Sequence, residues 1–275
     1  MNHWTEFSES DLKTAWDIHW HWEWFINNKW PMADILRSPS SLDVEHIAPV
    51  LRERGVHNVL DVTCGFGLKT ILLQKYGFHV SGSDISSVAV GHACEIAKRE
   101  RLSLEYKVSP WSSLCKVWEG WKFDCVFCDA LSWTPNEEIL SSACCNFHSI
   151  LNENGILLWA GAPKGSPGKN GKELATGYYI SNPAFEVDKT RTLEDGANLT
   201  RIICRELDGE GVLVHRAYVI ARGNSQKIEV SSIVEPACWS WDKIWGILKA
   251  SGFTDSETIK TSVNGKERLH NISMK

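Results

Sequence analysis

Acidic residues stand where apolar segments end, at positions suited to binding a small charged ligand. The first is Asp61, which closes the run "VHNVLD" and opens a turn of the form D-x-T-x-G-x-G, with Thr63, Gly65 and Gly67 in the same loop. A carboxylate at this position repels a pyrophosphate but attracts a ligand that carries an ammonium group. The loop therefore favours a zwitterionic ligand over a dinucleotide.

Two further aspartates end later strand-like segments. Asp84 closes "FHVSGSD" about twenty residues beyond the loop, where a carboxylate can accept hydrogen bonds from both hydroxyls of a ribose. Asp129 closes the almost unbroken apolar run "FDCVFCD". It is the candidate general base or acceptor-orienting group, and a hydrogen-bonded structural carboxylate is the alternative interpretation.

The segments around these residues predict an α/β fold. "VHNVLD" is followed by the glycine loop and a helical pattern, and apolar runs then alternate with helical ones up to "GILLWAGA" at 155–162. Such alternation is typical of a doubly wound, mostly parallel sheet, in which ligands bind at the carboxyl ends of the strands.

The rhythm changes from about residue 178. Three strand-like stretches, "FEVDKTRTL", "LTRIICREL" and "VLVHRAYVIAR", are separated by the turn signals "EDGAN" and "DGEG", which predicts a three-stranded antiparallel insert. A helix, "SWDKIWGILKASGF", and two final strands around Asn264-Gly265 complete the sheet.

Composition limits the class of partner. The chain has 275 residues, a net charge of -5 and nine cysteines. The acidic balance disfavours nucleic acid and anionic membranes, and no run of eighteen apolar residues or basic leader occurs, so we expect a cytoplasmic protein with small-molecule partners. The cysteines are expected to be free thiols. Cys125 and Cys128 would point to opposite faces of a strand, which disfavours a metal site there.

The motifs together resemble the class I S-adenosylmethionine-dependent methyltransferases, and most of all the glycine N-methyltransferase and glycine/sarcosine methyltransferase group. "VLDVTCGFG" is similar to that family's "VLDVACGTG", and "FDCVFCDALSW" resembles its fourth strand. The insert before the last helix is also a shared feature. The resemblance covers most of the chain from about residue 30.

This resemblance implies the whole architecture. We expect a Rossmann-like, doubly wound, mostly parallel seven-stranded sheet with an antiparallel last strand, a three-stranded antiparallel insert and an N-terminal helical lid. The expected domains are the Trp-rich lid at 1–45, the methyltransferase core at 46–177 and 235–275, and the insert at 178–234. A homo-oligomer is left open.

The resemblance also implies a site for S-adenosylmethionine, with S-adenosylhomocysteine as product. The implied cofactor-binding residues are Trp30, Arg37, Asp61, Thr63, Gly65, Gly67, Asp84, Ile85, Trp111, Asp129 and Ala130. The loop residues would line the methionine portion, Asp84 would take the ribose, and Ile85 and Trp111 would lie near the adenine, with Pro110 where the family has asparagine. Arg37 matches the arginine that binds the cofactor carboxylate, and Trp30 matches a lid tryptophan.

Two departures concern the acceptor. Leu131 stands where the family has asparagine, and Ala162 replaces the arginine that grips the carboxylate of the amino-acid substrate. Lys164 is a flexible point charge and does not reproduce a bidentate fork. Glycine is therefore a poor candidate, and we expect direct SN2 transfer to another small molecule, with an amine favoured. The alternatives are an O- or S-methyltransferase, a protein or RNA methyltransferase, and a non-catalytic cofactor-binding protein.

The stretch "DIHWHWEWFINNKW" concentrates tryptophan in the expected lid. Trp16, Trp20 and Trp24 share one helical stripe, which either packs the lid or forms an aromatic wall around the sulfonium and the acceptor. His19 and His21 do not combine into a metal site by spacing, so a hydrogen-bonding His21 is preferred and no metal is expected. The expected substrate-binding residues are Trp20, His21, Trp24, Leu131 and Tyr178.

Overall fold

The fold is taken from a computed structural model, which describes residues 6–27, 39–161, 164, 171–209, 211–234, 239–263 and 266–275. The helices are α1 Glu9–Ile26, α2 Pro39–Glu53, α3 Leu68–Lys75, α4 Ser87–Arg99, α5 Leu114–Val117, α6 Glu137–Ile150, α7 Gly171–Ser181 and α8 Trp241–Ala250. The strands are β1 Asn58–Asp61, β2 His79–Asp84, β3 Glu105–Val108, β4 Phe123–Cys128, β5 Leu151–Ala160, β6 Phe185–Thr192, β7 Asn198–Asp208, β8 Gly211–Arg222, β9 Ser225–Val234, β10 Asp255–Val263 and β11 Lys266–Met274. No described helix has the length and apolar character needed to cross a bilayer.

A seven-stranded sheet has the strand order β10-β11-β5-β4-β1-β2-β3. Strands β1 to β5 are mutually parallel, whereas β11 runs antiparallel to both β5 and β10. The central strand β4 is buried along nearly its whole length because its sequence is apolar on both faces. The predicted fold class is therefore confirmed for this sheet.

The helices that follow the first strands are fixed by local sequence. Helix α4 begins after Ser86, whose hydroxyl accepts a hydrogen bond from the amide of Ala89. Its buried residues recur at helical spacing, at Ala89, Val90, Ala93, Ile96 and Ala97. The helix is thereby held with one face against the sheet and its N-terminus beside the end of β2.

A second sheet has four antiparallel strands in the order β6-β7-β8-β9, where three strands were predicted. The additional strand, β9, has the sequence "SQKIEVSSIV" and pairs with β8 from Leu213↔Val234 to Arg222↔Ser225. Its serines and charged residues hide the alternating pattern of a strand. Residues 171–181 form α7, and the first strand of this sheet begins at Phe185.

The chain forms two compact units. The sheet unit consists of residues 1–30, 132–136 and 169–240, and the core unit consists of residues 31–131, 137–168 and 241–275. The predicted domain boundaries at 45, 177 and 234 stay predictions.

Within the sheet unit, α1 packs on the antiparallel sheet. Trp22 and Ile26 from α1 form a buried cluster with Leu199 of β7 and Tyr218 of β8. The Trp22 indole stacks on the Tyr218 ring at 6.3 Å, and its Nε1 donates to Glu229 Oε2 at 2.7 Å. The part of the Trp-rich segment that the structure describes thus shares a hydrophobic core with the insert.

Candidate active site

The glycine loop lies in the core unit, between β1 and α3. Gly65 and Gly67 have positive φ angles of 51° and 77°, and the Gly67 amide donates to the Cys64 carbonyl at 2.7 Å. A Cβ atom on Gly67 would lie 2.3 Å from the Tyr106 hydroxyl oxygen. Both the backbone conformation and the limited space therefore favour glycine at position 67.

The buried side chain of Asp61 stabilises this turn through two hydrogen bonds. Its two carboxylate oxygens accept from the Thr63 amide at 3.1 Å and from the Thr70 hydroxyl at 3.0 Å. Burial raises the pKa of Asp61 to about 7, against these hydrogen bonds and the charge of Lys69, which lower it. A buried acid in this state would gain from a cationic ligand group nearby.

Asp84 connects the loop to the next strand. Its Oδ2 accepts from the Gly65 amide and its Oδ1 from the Ser86 amide, both at 2.9 Å. The residue is buried. Because a carboxylate offers about four lone-pair sites, this geometry is compatible with additional hydrogen bonds from ribose hydroxyls.

Trp111 and Ile85 lie after β3 and β2, respectively, and both side chains are partly exposed. The Trp111 indole donates to the Val62 carbonyl at 2.9 Å and packs edge to face on Phe147 at 5.5 Å. This hydrogen bond connects the indole to the glycine loop, which is compatible with the predicted position of Trp111 near the adenine.

Asp129 follows β4 and is also hydrogen-bonded to the glycine loop. Its amide donates to the Thr63 hydroxyl at 3.0 Å, and its Oδ2 accepts from Lys69 Nζ at 2.8 Å. The Asp129 side chain is 39% exposed, whereas that of Lys69 is 10% exposed. The predicted base is therefore an ion-paired carboxylate, open on one side.

Lys69 is a site residue that sequence reasoning missed. Its Nζ also donates to Asp43 Oδ2 at 3.0 Å, and the fully buried Asp43 accepts from His270 Nε2 at 2.8 Å and from the Thr261 hydroxyl at 3.2 Å. Burial alone would lower the pKa of Lys69, but the charges of Asp129 and Asp43 raise it, so the lysine stays protonated.

One signal could have drawn attention to Lys69. It stands in the first turn of α3, where the helix dipole disfavours a cation. A lysine at that position needs nearby anions, and α2 and the end of β4 supply them.

The remaining residues that were predicted for the site differ in burial and in their partners. Leu131 is fully buried, and Ala130 is partly exposed. The Lys164 ammonium group pairs with Asp255 at 3.3 Å. Trp30, Arg37, Ala162 and the side chain of Tyr178 lie outside the described residues.

The predicted aromatic residues belong to the sheet unit. Trp24 is buried, with 3% exposure, and Trp20 is partly exposed and stacks on Trp16 at 6.2 Å. His21 is exposed and contacts the rings of Trp22 and Phe25. Among the described residues of both units, no group of three His, Cys, Asp or Glu side chains is placed to hold a metal ion.

Comparison with known proteins agrees with this architecture. Residues 59–155 match the family model described as a methyltransferase domain. The glycine/sarcosine N-methyltransferase of Aphanothece halophytica is 28% identical over 157 residues, which are 56% of this chain and 59% of the relative. The ubiquinone biosynthesis O-methyltransferase of Coxiella burnetii is 28% identical over 120 residues, which are 40% of this chain and 50% of the relative. The chain spans between 39% and 59% of the length of the first curated relatives that it matches.

The solved structures extend the similarity to the whole fold. A crystal structure of an S-adenosylmethionine-dependent methyltransferase from Clostridium acetobutylicum is similar with a TM-score of 0.65 at 15% identity, over 90% of this chain and 96% of that one. At this identity the similarity concerns the fold alone. The resemblance to the class I S-adenosylmethionine-dependent methyltransferases is thereby confirmed for the fold and for the domain at residues 59–155.

Proposed function

We propose that this protein transfers a methyl group from S-adenosylmethionine to a small-molecule acceptor, with an amine nitrogen as the favoured nucleophile. The observation that carries the proposal is the connected set of Asp61, Asp84 and Asp129, all at carboxyl ends of parallel strands and all hydrogen-bonded to one glycine loop. This edge of a doubly wound sheet is where ligands bind.

The residues of this edge fit the cofactor. Asp61 would face the ammonium group of its methionine portion, since a bound cation compensates a buried acid whose pKa lies near 7. Asp84 would accept from the ribose hydroxyls, and Trp111 and Ile85 would flank the adenine. Trp30 and Arg37 retain their proposed roles on the resemblance alone.

The cofactor, when bound, supplies a methyl group on a positively charged sulfur. The protein has to hold the acceptor in line with the methyl–sulfur bond and exclude water, and such positioning can supply most of the acceleration. Asp129 would orient the acceptor as an anionic hydrogen-bond acceptor, and Lys69 fixes the direction of its carboxylate. An amine nucleophile that arrives neutral needs no stronger base.

The proposed class of methyl acceptor depends on the absence of a side chain that could bind a substrate carboxylate. No arginine stands at position 162, and Lys164 pairs with Asp255, so neither supports a bidentate grip on a substrate carboxylate. The similarity to an N-methyltransferase supports the amine, whereas the similarity to an O-methyltransferase keeps a hydroxyl acceptor as the second candidate.

Methyl transfer can be tested without knowing the acceptor. A metabolite extract is incubated with the protein and methyl-deuterated S-adenosylmethionine, and mass spectrometry follows any compound that gains the label. A labelled amine is the expected product. A labelled hydroxyl compound would favour the second candidate, and no labelled product despite cofactor binding would contradict the proposal and favour a macromolecular acceptor or a non-catalytic protein.

Replacement of Asp84 tests the cofactor site. Asp84→Asn should weaken S-adenosylmethionine binding about tenfold or more, because a charged hydrogen-bond acceptor is lost. Calorimetric titration gives the affinity directly.

Asp124→Asn is the matched control for this experiment. Asp124 also accepts from two backbone amides, those of His57 at 3.0 Å and Asn58 at 2.9 Å, but it stands near the start of β4, away from the strand ends that carry the loop. Its replacement should leave the affinity unchanged. Equal losses in both variants would mean that Asp84 acts only on the fold.

A further inference from the structure

A buried set of polar side chains lies next to Asp129 within the core unit. Asp43 of α2 is fully buried, and its Oδ1 accepts from His270 Nε2 of β11 at 2.8 Å and from the Thr261 hydroxyl of β10 at 3.2 Å. Its Oδ2 accepts from Lys69 Nζ of α3 at 3.0 Å. Donors from three different elements therefore fix both oxygens of this carboxylate.

These side chains meet at the carboxyl edge of the parallel sheet. His270 pairs with Ala160, the last residue of β5, and Asp129 directly follows the neighbouring strand β4. The imidazole is 2% exposed, and its Nδ1 is buried without a hydrogen-bond partner in the described part of the chain. The hydrogen bond to Asp43 is thus the one polar contact that the described residues offer this ring.

Lys69 connects the buried carboxylate to the partly exposed one. Its Nζ lies 3.0 Å from Asp43 Oδ2 and 2.8 Å from Asp129 Oδ2. Because a lysine carries its ammonium group on a flexible stem, two carboxylates fix the group better than one. Asp129 Oδ1 forms no hydrogen bond with any described residue, and the side chain is 39% exposed. One oxygen of Asp129 is therefore held, and the other is open to a ligand.

The lysine is shared, so it does not neutralise both acids. Burial raises the pKa of Asp43, but the hydrogen bond from His270 and the charge of Lys69 hold it well below its usual range, and Asp43 is ionised. One ammonium group then faces two carboxylates, Asp43 and Asp129. Arg268 approaches Asp43 only to 3.6 Å with a side chain that is 41% exposed, so water screens its charge. The surroundings of Lys69 therefore favour positive charge on a ligand beside Asp129.

We propose that Asp43 is a positioning residue for methyl transfer, which acts through Lys69 to keep Asp129 Oδ1 directed at the acceptor nitrogen. His270 and Thr261 fix Asp43 in turn. The inference rests on the proposed function and extends it to a buried residue behind Asp129.

The charge of the cluster matches the transfer to an amine. The nitrogen lone pair forms the new C–N bond, the electron pair of the methyl–sulfur bond stays on sulfur, and the positive charge passes from sulfur to nitrogen. The product leaves as an ammonium ion. Asp129 Oδ1 faces the nitrogen on which this charge develops, and Asp43 prevents Lys69 from neutralising that carboxylate alone.

Replacement of Asp43 by asparagine removes the charge and keeps the shape. In labelled methyl transfer from the metabolite extract, Asp43→Asn should lower the maximal rate about 30-fold, because small misplacements of reacting groups can lower a rate about 100-fold. The extract concentration at half-maximal rate and the affinity for S-adenosylmethionine should change by less than about twofold. A purely structural role would reduce the amount of folded protein and leave the rate per folded molecule unchanged.

Thr261 tests the same contact with a milder change. Thr261→Val removes the hydroxyl at nearly constant volume and should lower the maximal rate about fivefold, whereas Thr261→Ser should retain most of it. Thr258→Val is the matched control, because Thr258 lies on the other face of β10, where its hydroxyl donates to Asn271 Oδ1 at 2.6 Å. This control should keep the wild-type rate. An equal loss in both valine variants would overturn the positioning role.

A double-mutant cycle shows whether Asp43 acts through Asp129. Asp129→Asn should itself lower the maximal rate, and the addition of Asp43→Asn should then lower it no further, since members of one network are not additive. Independent losses in the double variant would overturn the positioning role while leaving methyl transfer intact. A wild-type protein that binds cofactor but labels nothing would overturn the proposed function, and the positioning role with it.

The shared lysine can also be observed without activity. Nitrogen-15 NMR of the lysine side chains should show a Lys69 ammonium signal that is absent in Lys69→Met and shifted in both Asp43→Asn and Asp129→Asn, because each variant removes one of its two anionic partners. A signal that does not move in Asp43→Asn would contradict the positioning role whatever the activity.

Discussion

At the scale of single residues, the site combines a carboxylic acid that is half ionised near neutral pH with carboxylates that are held charged. Burial brings the pKa of Asp61 to about 7. Asp43 is the opposite case: burial would raise its pKa, but the hydrogen bond from His270 and the charge of Lys69 hold it well below the usual range. These two environments lead to different experiments.

Proton release should accompany cofactor binding through Asp61. At pH 6.5 a group with a pKa near 7 is mostly protonated, and a bound ammonium group favours its ionised form, so about 0.5 to 0.8 protons should leave per cofactor. Calorimetric titration in buffers of different ionisation enthalpy measures this number. It should fall towards pH 8 and vanish in Asp61→Asn, and equal release in that variant would assign the proton to another group.

The buried lysine should matter for stability as well. Lys69→Met leaves Asp43 buried with one cation fewer, which should lower the free energy of unfolding by about 3 to 5 kcal/mol at pH 7. A depressed aspartate pKa stabilises the fold above the unfolded pKa, and that contribution is lost as the pH falls through the folded pKa. The difference between variant and wild type should therefore shrink towards pH 4 and below.

Lys75→Met in the same helix is the control for this substitution, because its side chain is exposed in the last turn. Chemical denaturation should give nearly the wild-type stability for it. A pH-independent loss in Lys69→Met would mean that the lysine acts through packing of its aliphatic stem alone.

At the scale of elements, helix α1 is defined at its start by local sequence and along its length by distant strands. Ser8 and Asp11 form a capping box, in which each side chain accepts from the other residue's amide. Its buried Trp22 face meets β7 and β8. The helix is thus an integral part of the sheet unit.

Removal of the Trp22 indole should show how much α1 contributes to the core of the sheet unit. Trp22→Ala leaves a cavity beside Leu199 and Tyr218 and breaks the hydrogen bond to Glu229, so the free energy of unfolding should fall by about 3 to 5 kcal/mol. Denaturant titration followed by circular dichroism measures the change. Trp121→Ala, whose indole is 44% exposed, should lower the free energy of unfolding much less. A loss in Trp22→Ala as small as that in Trp121→Ala would show that α1 contributes little to the core.

At the scale of the whole molecule, sequence reasoning was sufficient where a local pattern decides the structure. The glycine loop, the acids at the strand ends and the antiparallel final strand follow from motifs of ten residues or fewer. It was insufficient where a contact joins distant segments. The pairing of Lys69 with Asp43 and the hydrogen bonds of Tyr218 with His19 and Glu23 depend on the fold, and β9 was missed because polar residues mask its alternation.

The packing of α1 on the antiparallel sheet has a consequence during synthesis. Trp22 and Ile26 leave the ribosome about 180 residues before Leu199, their buried neighbour. At translation rates of about 5 to 20 residues per second, this apolar face stays unpaired for roughly 10 to 35 seconds before its partner strands are synthesised. Apolar surface that stays exposed for this long makes a partly synthesised chain prone to aggregation.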